Sequence, residues 1–544
     1  MNGDKILIIG LDGADFRYII PFLKSGELPH LKYLIENGSS SYFLSTEVPF
    51  TAQAWSSLLT GCSPAVTGVI DGAVRKNNSY EIIPTHLKGF KGVPFWKILN
   101  HYGLKVGLVN VPMTYPPSKI EGYIISGFDT PRGKDDFCYP PSIGRTLKEK
   151  ISALLDKEHY IAIHSNPHHQ RIPLDEYIRE IRNAVDLQKE ILGELIENIP
   201  CNCLMTVFQF TDVINHRTND RRYIKEVYRM ADEFIGYLID RMPKDTMIFC
   251  LSDHGSEPVE IRINLSLILK EAGLLAFKPK IANEAIERII KRFFPKFMFL
   301  SNGLLKIWHC SPFWLQKIVS FVVLKFYPGL ANYYSNIDWQ KTKVYAFGGW
   351  GPLYLNLKRR EPLGVVTAGE VLKVKQLVKK ILESVKNPLN GKNAFSKVWF
   401  VEEVWQAKEK CLLPDIIFQP NEGVDVLFQF PKEEKFGFPR VEYGKHAPEG
   451  IFIAAGRNIK KNYFSSNKMR IYDFVPTLLY LTGVKLPNWL TGNIFKEIIE
   501  ESYLEKHKVE YADIAVEERE TKDKTFTKEE IKSIQEKLEG LGYF

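Results

Sequence analysis

Short apolar runs of strand length recur along the chain, separated by longer segments with helical periodicity. The first run is rich in β-branched residues, as expected for a parallel strand buried on both faces. The runs lie at residues 5–11, 106–110, 203–210, 247–252 and 451–455. The clearest helical patterns between them lie at 177–198 and 222–241. This alternation predicts the α/β class, with a doubly wound, mostly parallel central sheet and helices on both faces.

Acidic residues directly follow three of the predicted strands. Asp12 ends the segment ILIIGLD, Asp212 follows VFQFT, and Asp253 follows IFCLS. In doubly wound sheets, ligands bind in the crevice outside the carboxyl ends of the strands. We therefore expect these three carboxylates to share one crevice, although they are far apart in sequence.

Histidines near these carboxylates complete a candidate set of metal ligands. His216 lies four residues after Asp212, so one helical turn presents both side chains to the same ion. His254 directly follows Asp253, and His446 lies in the segment YGKHAPEG. Carboxylates and neutral imidazoles suit zinc or manganese, and two such ions about 4 Å apart suit displacement at phosphorus. Each residue alone also fits a turn or a solvated surface, and their joint occurrence favours the metal site.

Thr51 is a candidate nucleophile. It follows Pro49 and Phe50 and opens a segment with helical character that reaches Thr60 and Gly61. A hydroxyl at a helix N-terminus lies at the positive end of the helix dipole, which also attracts phosphate. Threonine opens many helices simply as an N-cap, and the residues alone leave that alternative open.

The spacing of the candidate ligands predicts an insertion. Residues 257–445 separate the last two clusters and are too long for a loop. We therefore expect an inserted cap subdomain beside a larger catalytic core. The predicted units are a core at 1–256 and 440–500, a cap at 257–439, and a charged C-terminal extension with a terminal helix at 501–544.

Residues 288–332 are unusually aromatic and basic, with Lys and Arg punctuating apolar residues as in a pair of amphipathic helices. Three interpretations remain open: a helical cap over the site, an oligomer interface, or a membrane-surface element. The last would suit a lipid-linked substrate.

Composition narrows the function classes. The 544 residues are 45% hydrophobic and 25% charged, and the net charge of +8 is mild for this length. It does not favour a nucleic-acid polymer as partner, but it is compatible with a small anionic substrate. The seven cysteines lack CxxC spacing, no signal peptide is visible, and no stretch approaches the length of a membrane span. We expect a cytoplasmic protein, with 288–332 as the candidate for peripheral membrane contact.

Several motifs together resemble the alkaline phosphatase superfamily, in its type I phosphodiesterase/nucleotide pyrophosphatase family. The resemblance covers nearly the whole chain. The motifs are LDG at 11–13, the stretch from Thr51 to Gly61, TDVINH at 211–216, SDHG at 252–255, GKHAPEGIFIAAG at 444–456, NLKRREPLGVV at 356–366, YDFVPTLLYLTGVKLP at 472–487 and the terminal LEGLGYF.

The resemblance implies an alkaline phosphatase-like fold and two divalent metal ions, for which zinc is the first expectation and manganese the second. It implies that Asp212, His216 and His446 hold one ion. It further implies that Asp12, Asp253 and His254 hold the other ion. Thr51 would be the exchangeable, attacking ligand of that ion. The implied reaction is hydrolysis of a phosphodiester or pyrophosphate through a covalent phospho-threonine. A nucleotide, a lipid-linked and a glycan-linked phosphodiester all remain candidate substrates.

One departure from the family pattern bears on the substrate, and one faint motif raises the alternative of a sulfatase. An Asn that helps to bind phosphate in the nucleotide pyrophosphatases falls, by spacing, at Gly72, so Arg75, Asn77 or Asn78 are the candidate substitutes. Cys62 faintly echoes the sulfatase motif, but the Arg of that motif is missing. Cys62 also lies a helix away from Thr51, and both points disfavour a sulfatase.

Two groups of alternative functions remain. A phosphomonoesterase, a phosphonate hydrolase or a phosphomutase would use the same ligands, and a diester compared with a monoester substrate would discriminate among them. A metal-stabilised binding protein or a membrane-surface protein without catalysis would not need Thr51.

Overall fold

The computed structural model describes most of the predicted core and part of the predicted cap. The residues described are 5–71, 73–75, 79–80, 82–85, 89–127, 129–131, 133–165, 172–278, 336–346, 352–405, 413–428, 434–439 and 441–516. The aromatic and basic segment 288–332 and the predicted terminal helix lie outside these residues.

The strands of the described residues are short, and most have two to seven residues. They are β1 (Ile6–Leu11), β2 (Gly38–Leu44), β3 (Ala73–Arg75), β4 (Ile82–Pro84), β5 (Val106–Val111), β6 (Gly122–Ser126), β7 (Cys138–Tyr139), β8 (Cys203–Phe208), β9 (Met247–Leu251), β10 (Gly255–Pro258), β11 (Ile261–Asn264), β12 (Val344–Ala346), β13 (Leu353–Leu355), β14 (Phe395–Phe400), β15 (Ile416–Pro420), β16 (Val424–Leu427), β17 (Phe436–Gly437), β18 (Gly444–Ala447), β19 (Glu449–Ala455), β20 (Tyr463–Phe464), β21 (Met469–Arg470), β22 (Leu486–Pro487) and β23 (Tyr511–Ala512).

The helices range from single turns to 25 residues. They are α1 (Phe16–Lys24), α2 (Pro29–Glu36), α3 (Thr51–Thr60), α4 (Pro64–Thr67), α5 (Phe95–His101), α6 (Pro141–Ser165), α7 (Leu174–Asn198), α8 (Phe210–Arg217), α9 (Arg221–Ile239), α10 (Leu265–Glu271), α11 (Val371–Ser384), α12 (Val401–Val404), α13 (Phe474–Leu481) and α14 (Glu501–Lys506), with 3-10 turns at Ala368–Glu370, Ile471–Asp473 and Lys496–Ile498.

The central sheet contains all five of the predicted strands. Its order is β7-β6-β5-β8-β1-β9-β19-β2-β20, and β21 also pairs with β2. The five neighbouring strands β6, β5, β8, β1 and β9 run parallel to one another. β1 lies in the middle and is buried along its whole length. Helices α7 and α9, which correspond to the two predicted helical patterns, pack against each other.

Two details of the sheet differ from the sequence prediction. The run at 451–455 forms part of β19, which is antiparallel to both β9 and β2. An apolar run indicates that a strand is buried, but not whether it runs parallel or antiparallel to its neighbours. The antiparallel pairing of β19 could therefore not be predicted from it. The run at 203–210 ends as a strand at Phe208, and Asp212 therefore lies in the first turn of α8 rather than directly after the strand.

Gly10 on β1 shows how closely the helix that begins at Thr51 packs on the sheet. A Cβ atom at Gly10 would lie 2.5 Å from the ring of Trp55 in α3, which is too close for any side chain. The backbone of β1 and the indole of α3 are therefore in direct contact. This contact brings Thr51, one turn before Trp55, close to the carboxyl end of β1.

A second hydrophobic cluster, separate from that of the central sheet, is formed by residues between Ile261 and Val426. It is built on two smaller sheets, with the orders β12-β13-β15-β14 and β16-β11-β17. These elements lie in the range predicted as a cap, whose boundaries at 257–439 remain a prediction. Within the described part of the chain, no helix is both long and apolar enough to cross a membrane.

Candidate active site

The structure brings the three predicted carboxylates together at the carboxyl end of the parallel strands. β1 lies between β8 and β9, and the three strands are paired almost to their last residues. Asp12 directly follows β1, Asp212 lies in the first turn of α8, and Asp253 lies two residues after β9. All three side chains are buried. Neighbouring strands that end together therefore explain why residues so distant in sequence meet.

A short two-stranded antiparallel sheet brings His446 to the same place. β18 pairs antiparallel with β10, although 185 residues separate them, and His446 lies opposite Ser256. The Ser256 hydroxyl donates a 2.7 Å hydrogen bond to the carbonyl of Gly13, which fixes this sheet next to Asp12. The imidazole rings of His446 and His254 stack with centroids 3.7 Å apart and an interplanar angle of 17°.

The first half of the candidate site contains the pair on α8. Asp212 Oδ2 lies 3.3 Å from His216 Nε2, four residues further along the helix. Asp212 Oδ1 lies 3.6 Å from His446 Nε2. The Nε2 atoms of His216 and His446 are 3.0 Å apart. Nitrogens so close to one another and to a carboxylate form a group that can converge on one cation.

The second half surrounds His254. Its Nε2 lies 3.2 Å from Asp253 Oδ2, 3.6 Å from Asp12 Oδ1 and 3.2 Å from Thr51 Oγ1. Gly13 donates its backbone N–H to Asp253 Oδ1 at 3.2 Å. The hydroxyl of the candidate nucleophile therefore contacts His254, one of the candidate ligands.

Ligand atoms in the described residues form two groups in which all members lie within 4.8 Å of one another: Asp212, His254 and His446; and Asp12, Asp253 and His254. His254 belongs to both groups. In the first group His254 accompanies Asp212 and His446, whereas the resemblance assigns His216 to that ion. The assignment of ligands to individual ions therefore remains a prediction.

Backbone acceptors orient the three imidazoles. Pro49 O accepts a 2.7 Å hydrogen bond from His446 Nδ1, and Gly255 O lies 3.0 Å from His254 Nδ1. The backbone of Gly444 hydrogen-bonds the ring of His216. Protonation of Nδ1 in His446 and His254 leaves Nε2 free to bind a metal. Sequence reasoning did not find these acceptors, because a carbonyl group carries no residue signature.

Thr51 does not cap α3 but is its first residue. Phe50 holds the N-cap position, and the Thr51 side chain is completely buried. Four residues later, Trp55 donates its Nε1–H to Asp12 Oδ2 at 3.2 Å. The i, i+4 spacing from Thr51 is the sequence signal that could have identified Trp55, since both face the site. The N-cap alternative for Thr51 is therefore not what the structure contains.

The electrostatics of the site favour bound cations. Burial and the carboxylates of Asp253 and Asp212 raise the pKa of Asp12 well above its usual value, and burial and Asp212 raise the pKa of Asp253. Burial also opposes ionisation of Asp212, but the imidazoles of His216 and His446 outweigh it and lower its pKa. Like charges packed together in a low-dielectric interior are stabilised by a metal ion.

Unpartnered oxygens in the site fit the same interpretation. Asp12 Oδ1, Asp212 Oδ1 and Asp253 Oδ2 are buried and accept no hydrogen bond from the described residues. A buried carboxylate oxygen without a donor is costly, and coordination to a cation would satisfy it. The oxygen and nitrogen donors present match those that bind zinc or manganese. The residues therefore fit the two divalent ions that the resemblance implies.

The candidate phosphate-binding residues are only partly visible. Gly72, Asn77 and Asn78 lie outside the described residues. The backbone of Arg75 ends β3, but its side chain is not among those described. Their roles remain predictions. Gln53, two residues after Thr51, donates to the carbonyl of Ile70 at 2.6 Å and so holds the start of this segment against α3.

The sequence profile of the type I phosphodiesterase/nucleotide pyrophosphatase family matches residues 6–445. The chain belongs to this family. It is therefore a hydrolytic enzyme of phosphoester chemistry, with candidate metal ligands in place. The match ends one residue before His446, and the structure places that histidine beside His216. A comparison with curated proteins finds no match.

Several solved structures of other proteins are similar to this chain in fold. Phosphonoacetate hydrolase from Sinorhizobium meliloti 1021 has a TM-score of 0.51 and 12% identity, over 87% of this chain and 94% of that chain. Human ectonucleotide pyrophosphatase/phosphodiesterase 5 has a TM-score of 0.48 and 14% identity, over 89% of this chain and 96% of that chain. An inactive variant of the murine protein, in complex with AMP, has a TM-score of 0.48 and 13% identity, over 89% and 96%. At these identities the likeness concerns the fold alone, and the predicted alkaline phosphatase-like α/β architecture is confirmed.

Proposed function

We propose that this family member hydrolyses a small anionic phosphodiester or pyrophosphate through a covalent bond to Thr51. The observation that carries the proposal is the buried Thr51 hydroxyl, 3.2 Å from an imidazole that belongs to both candidate metal groups. A binding protein would have no need for a hydroxyl in this position. The helix N-terminus beneath Thr51 adds a positive partial charge beside the transferred phosphate.

In the proposed reaction, Thr51 loses its hydroxyl proton to solvent and its Oγ1 attacks phosphorus in line. The bond to the leaving oxygen breaks as the Thr51–phosphorus bond forms, and the leaving group takes up a proton from water. A water molecule then hydrolyses the phospho-threonine and regenerates Thr51. Two divalent ions bound by the candidate ligands would lower the pKa of the nucleophile and neutralise charge on the phosphoryl oxygens.

The chain's own residues hold this geometry. Trp55 and Gly13 each donate to a carboxylate of the cluster, so the oxygens that remain without donors face the candidate ligands. The backbone carbonyls of Pro49 and Gly255 fix the rings of His446 and His254. Such preorganised groups need little rearrangement as charge develops in the transition state.

A small cleft with a volume of about 20 Å³ lies beside the candidate ligands. Its walls include Pro49, Lys445 and His446 on one side, and Phe418 and Val424 on the other. The cleft is about the size of one water molecule, so the place of the organic substituent of a diester remains a prediction. A nucleotide is the substrate class that the family name favours, and lipid-linked or glycan-linked diesters fit the same chemistry. Membrane contact through 288–332 remains a separate prediction.

The test is the rate of hydrolysis of bis-p-nitrophenyl phosphate and of p-nitrophenyl phosphate, after dialysis and reconstitution with zinc or manganese. Thr51→Ala should lower turnover by roughly a thousandfold or more, because it removes the nucleophile. Its metal content should stay close to that of the wild type. Thr51→Ser is the matched variant that retains a hydroxyl and should retain partial activity.

Each outcome decides between named functions. Preference for the diester would support the phosphodiesterase, whereas turnover of the monoester alone would assign a phosphatase. Thr51→Ala with nearly wild-type activity would show that another group attacks phosphorus. Failure of the metal-loaded wild type to cleave either ester would leave a selective phosphonate hydrolase or a phosphomutase.

A further inference from the structure

A short loop leads into the candidate nucleophile. It connects β2, which ends at Leu44, to α3, which begins at Thr51, and we name residues 45–50 the nucleophile loop. The carbonyl of Pro49 in this loop accepts the 2.7 Å hydrogen bond from His446 Nδ1. The loop therefore determines the position of two groups of the site, the Thr51 hydroxyl and the His446 ring.

Hydrogen bonds of the backbone fix the two ends of the nucleophile loop. At its start, Ser45 donates its N–H to the carbonyl of Pro448 at 2.9 Å. At its end, Phe50 donates its N–H to the carbonyl of Val48 at 2.7 Å, which tightens the chain just before α3. The middle of the loop is held through the side chain of Glu47, which is half-buried.

Trp405 binds that side chain. Its Nε1 donates a hydrogen bond to Glu47 Oε2 at 2.8 Å, although the two residues are 358 positions apart. The indole is only 3% exposed, so water competes little for this bond. Hydrogen bonds to a carboxylate are among the stronger ones in proteins. The bond therefore holds Glu47, and with it the middle of the loop, in a fixed place beside the indole.

Trp405 also joins the two hydrophobic clusters. It directly follows β14 and α12, which extend from the smaller four-stranded sheet. Its backbone N–H donates to the carbonyl of Val401 at 2.8 Å and closes α12. Its ring, in contrast, packs in the larger cluster around the central sheet. The place of the nucleophile loop is therefore set by an element of the smaller sheet as well as by the core.

Glu47 lies near polar and charged groups of the core on its other side. Burial and the Glu47 carboxylate raise the pKa of Tyr472. The Tyr472 hydroxyl accepts a 2.9 Å hydrogen bond from Arg470, whose pKa is raised by Tyr472 and, to a smaller extent, by Glu47. The Glu47 carboxylate is thus attracted by a guanidinium on one element and by an indole N–H on another.

From these contacts we infer that Trp405 is a positioning residue for Thr51 and His446. Its indole N–H holds Glu47, and the loop that contains Glu47 orients the His446 ring through Pro49 and delivers Thr51 at the start of α3. Trp405 acts on the reaction through this loop. The inference rests on the proposed function, because Thr51 is the nucleophile in that function.

The experiment begins with Trp405→Phe, which removes the indole N–H and keeps an aromatic ring in the cluster. It should lower kcat about three- to tenfold with KM nearly unchanged, because a displaced Thr51 is less often in position to attack. It should also weaken zinc binding about three- to tenfold, because the His446 ring is less well oriented. Activity is measured on bis-p-nitrophenyl phosphate with the zinc-loaded full chain, and zinc affinity by competition with a chelating dye.

Trp96→Phe is the matched control. Trp96 is 1% exposed in the same larger cluster, and its Nε1 has no hydrogen-bond partner among the described residues. This variant loses the same volume without losing a hydrogen bond, so only Tm should fall. Glu47→Ala removes the acceptor at a half-buried position and should reproduce the effects of Trp405→Phe, even if Trp405→Phe itself does not fold. Glu47→Gln keeps an acceptor oxygen and should retain most of kcat.

The outcomes separate this inference from the proposed function. A lower Tm with unchanged kcat and zinc affinity in Trp405→Phe and Glu47→Ala would overturn the inference and leave the proposed function intact. An equal loss of kcat in Trp96→Phe would also overturn it, because core volume would then be responsible. A wild-type protein that cleaves no phosphate ester would overturn the proposed function, and the zinc affinities would then decide whether Trp405 positions His446.

Discussion

At the scale of single residues, Gly13 shows why the candidate ligands need small neighbours. Its φ of 66° lies in the left-handed region, which favours glycine. Its N–H donates to Asp253, and a Cβ atom there would lie 2.8 Å from Asp212 Oδ1. One residue therefore contacts two of the three clustered carboxylates. The LDG motif combines a ligand with the backbone that positions two others.

Gly13→Ala should weaken metal binding beyond its effect on stability. The strained backbone alone should cost about 1 kcal/mol or more of unfolding free energy, and the added methyl group must displace Asp212. Gly26→Ala is the control, because Gly26 also has a positive φ but has open space where the Cβ would lie. Metal content by mass spectrometry and unfolding in urea measure the two effects. Equal loss of metal in both variants would show that backbone strain alone is responsible.

The structure brings the seven candidate site residues together, and the convergence of the three acids could be predicted because an acidic residue after a buried apolar strand lies at one edge of the sheet. The residues that orient them could not. The contributions of Pro49, Gly255 and Gly444 are backbone hydrogen bonds that any residue could make. The contact of Tyr80 with Asn356 joins residues 276 positions apart, and no local pattern records it.

At the scale of elements, the two-stranded sheet of β10 and β18 positions His446. Next to the Ser256–His446 pair, Glu257 lies opposite Lys445, and their side chains form a buried ion pair at 2.8 Å. Glu257 Oε1 also accepts from the backbone N–H of Gly423, in the turn between β15 and β16. Glu257 thus joins the two-stranded sheet of the site to the smaller sheets.

Glu257→Gln should lower the unfolding free energy of the protein by about 3 kcal/mol, because it leaves the Lys445 ammonium buried without a counter-charge. The double variant Glu257→Gln with Lys445→Met should recover part of this loss, since it removes the unpaired charge. Urea unfolding of both variants measures the difference. A double variant less stable than the single one would argue that Lys445 has another partner.

The strands of the sheet were predictable, but their directions were not. Every run identified from sequence lies in the central sheet, because burial on both faces requires continuous apolar residues. β18 runs antiparallel to β10, which begins four residues after β9 ends, and β19 begins two residues after β18 ends, so β19 continues the same antiparallel pairing beside β9. The pairing of β10 with β18 joins distant residues, and no local pattern records it.

At the scale of the whole molecule, two hydrophobic clusters meet at one polar boundary. The larger cluster surrounds the central sheet, and the smaller one lies in residues 261–426. The site, the contact of Tyr80 with Asn356 and the Glu257–Lys445 pair all lie where these clusters meet. The length of the insertion predicts a second unit, but the contacts between the two clusters depend on the three-dimensional arrangement.

Removal of metal with EDTA should destabilise the whole protein and abolish turnover. The buried carboxylates would lose their cations, and a ligand at a hundredfold excess over its Kd stabilises the folded state by about 2.7 kcal/mol. Zinc or manganese should restore both Tm and activity. Thr51→Ala should show the same shift in Tm while remaining inactive, which separates metal binding from chemistry. A Tm that changes neither with EDTA nor with added zinc would argue against a metal centre.

His254 lies in both groups of ligand atoms, and its Nε2 has a single lone pair to offer. The first ion to enter could use that nitrogen from either side, whereas the second would find it taken and would depend on the remaining carboxylate and imidazole ligands. Loading should therefore be negatively cooperative, with a tight first step and a weaker second step. If both ions are required, activity would follow the weaker dissociation constant, and the supply of free metal would set the rate of the enzyme.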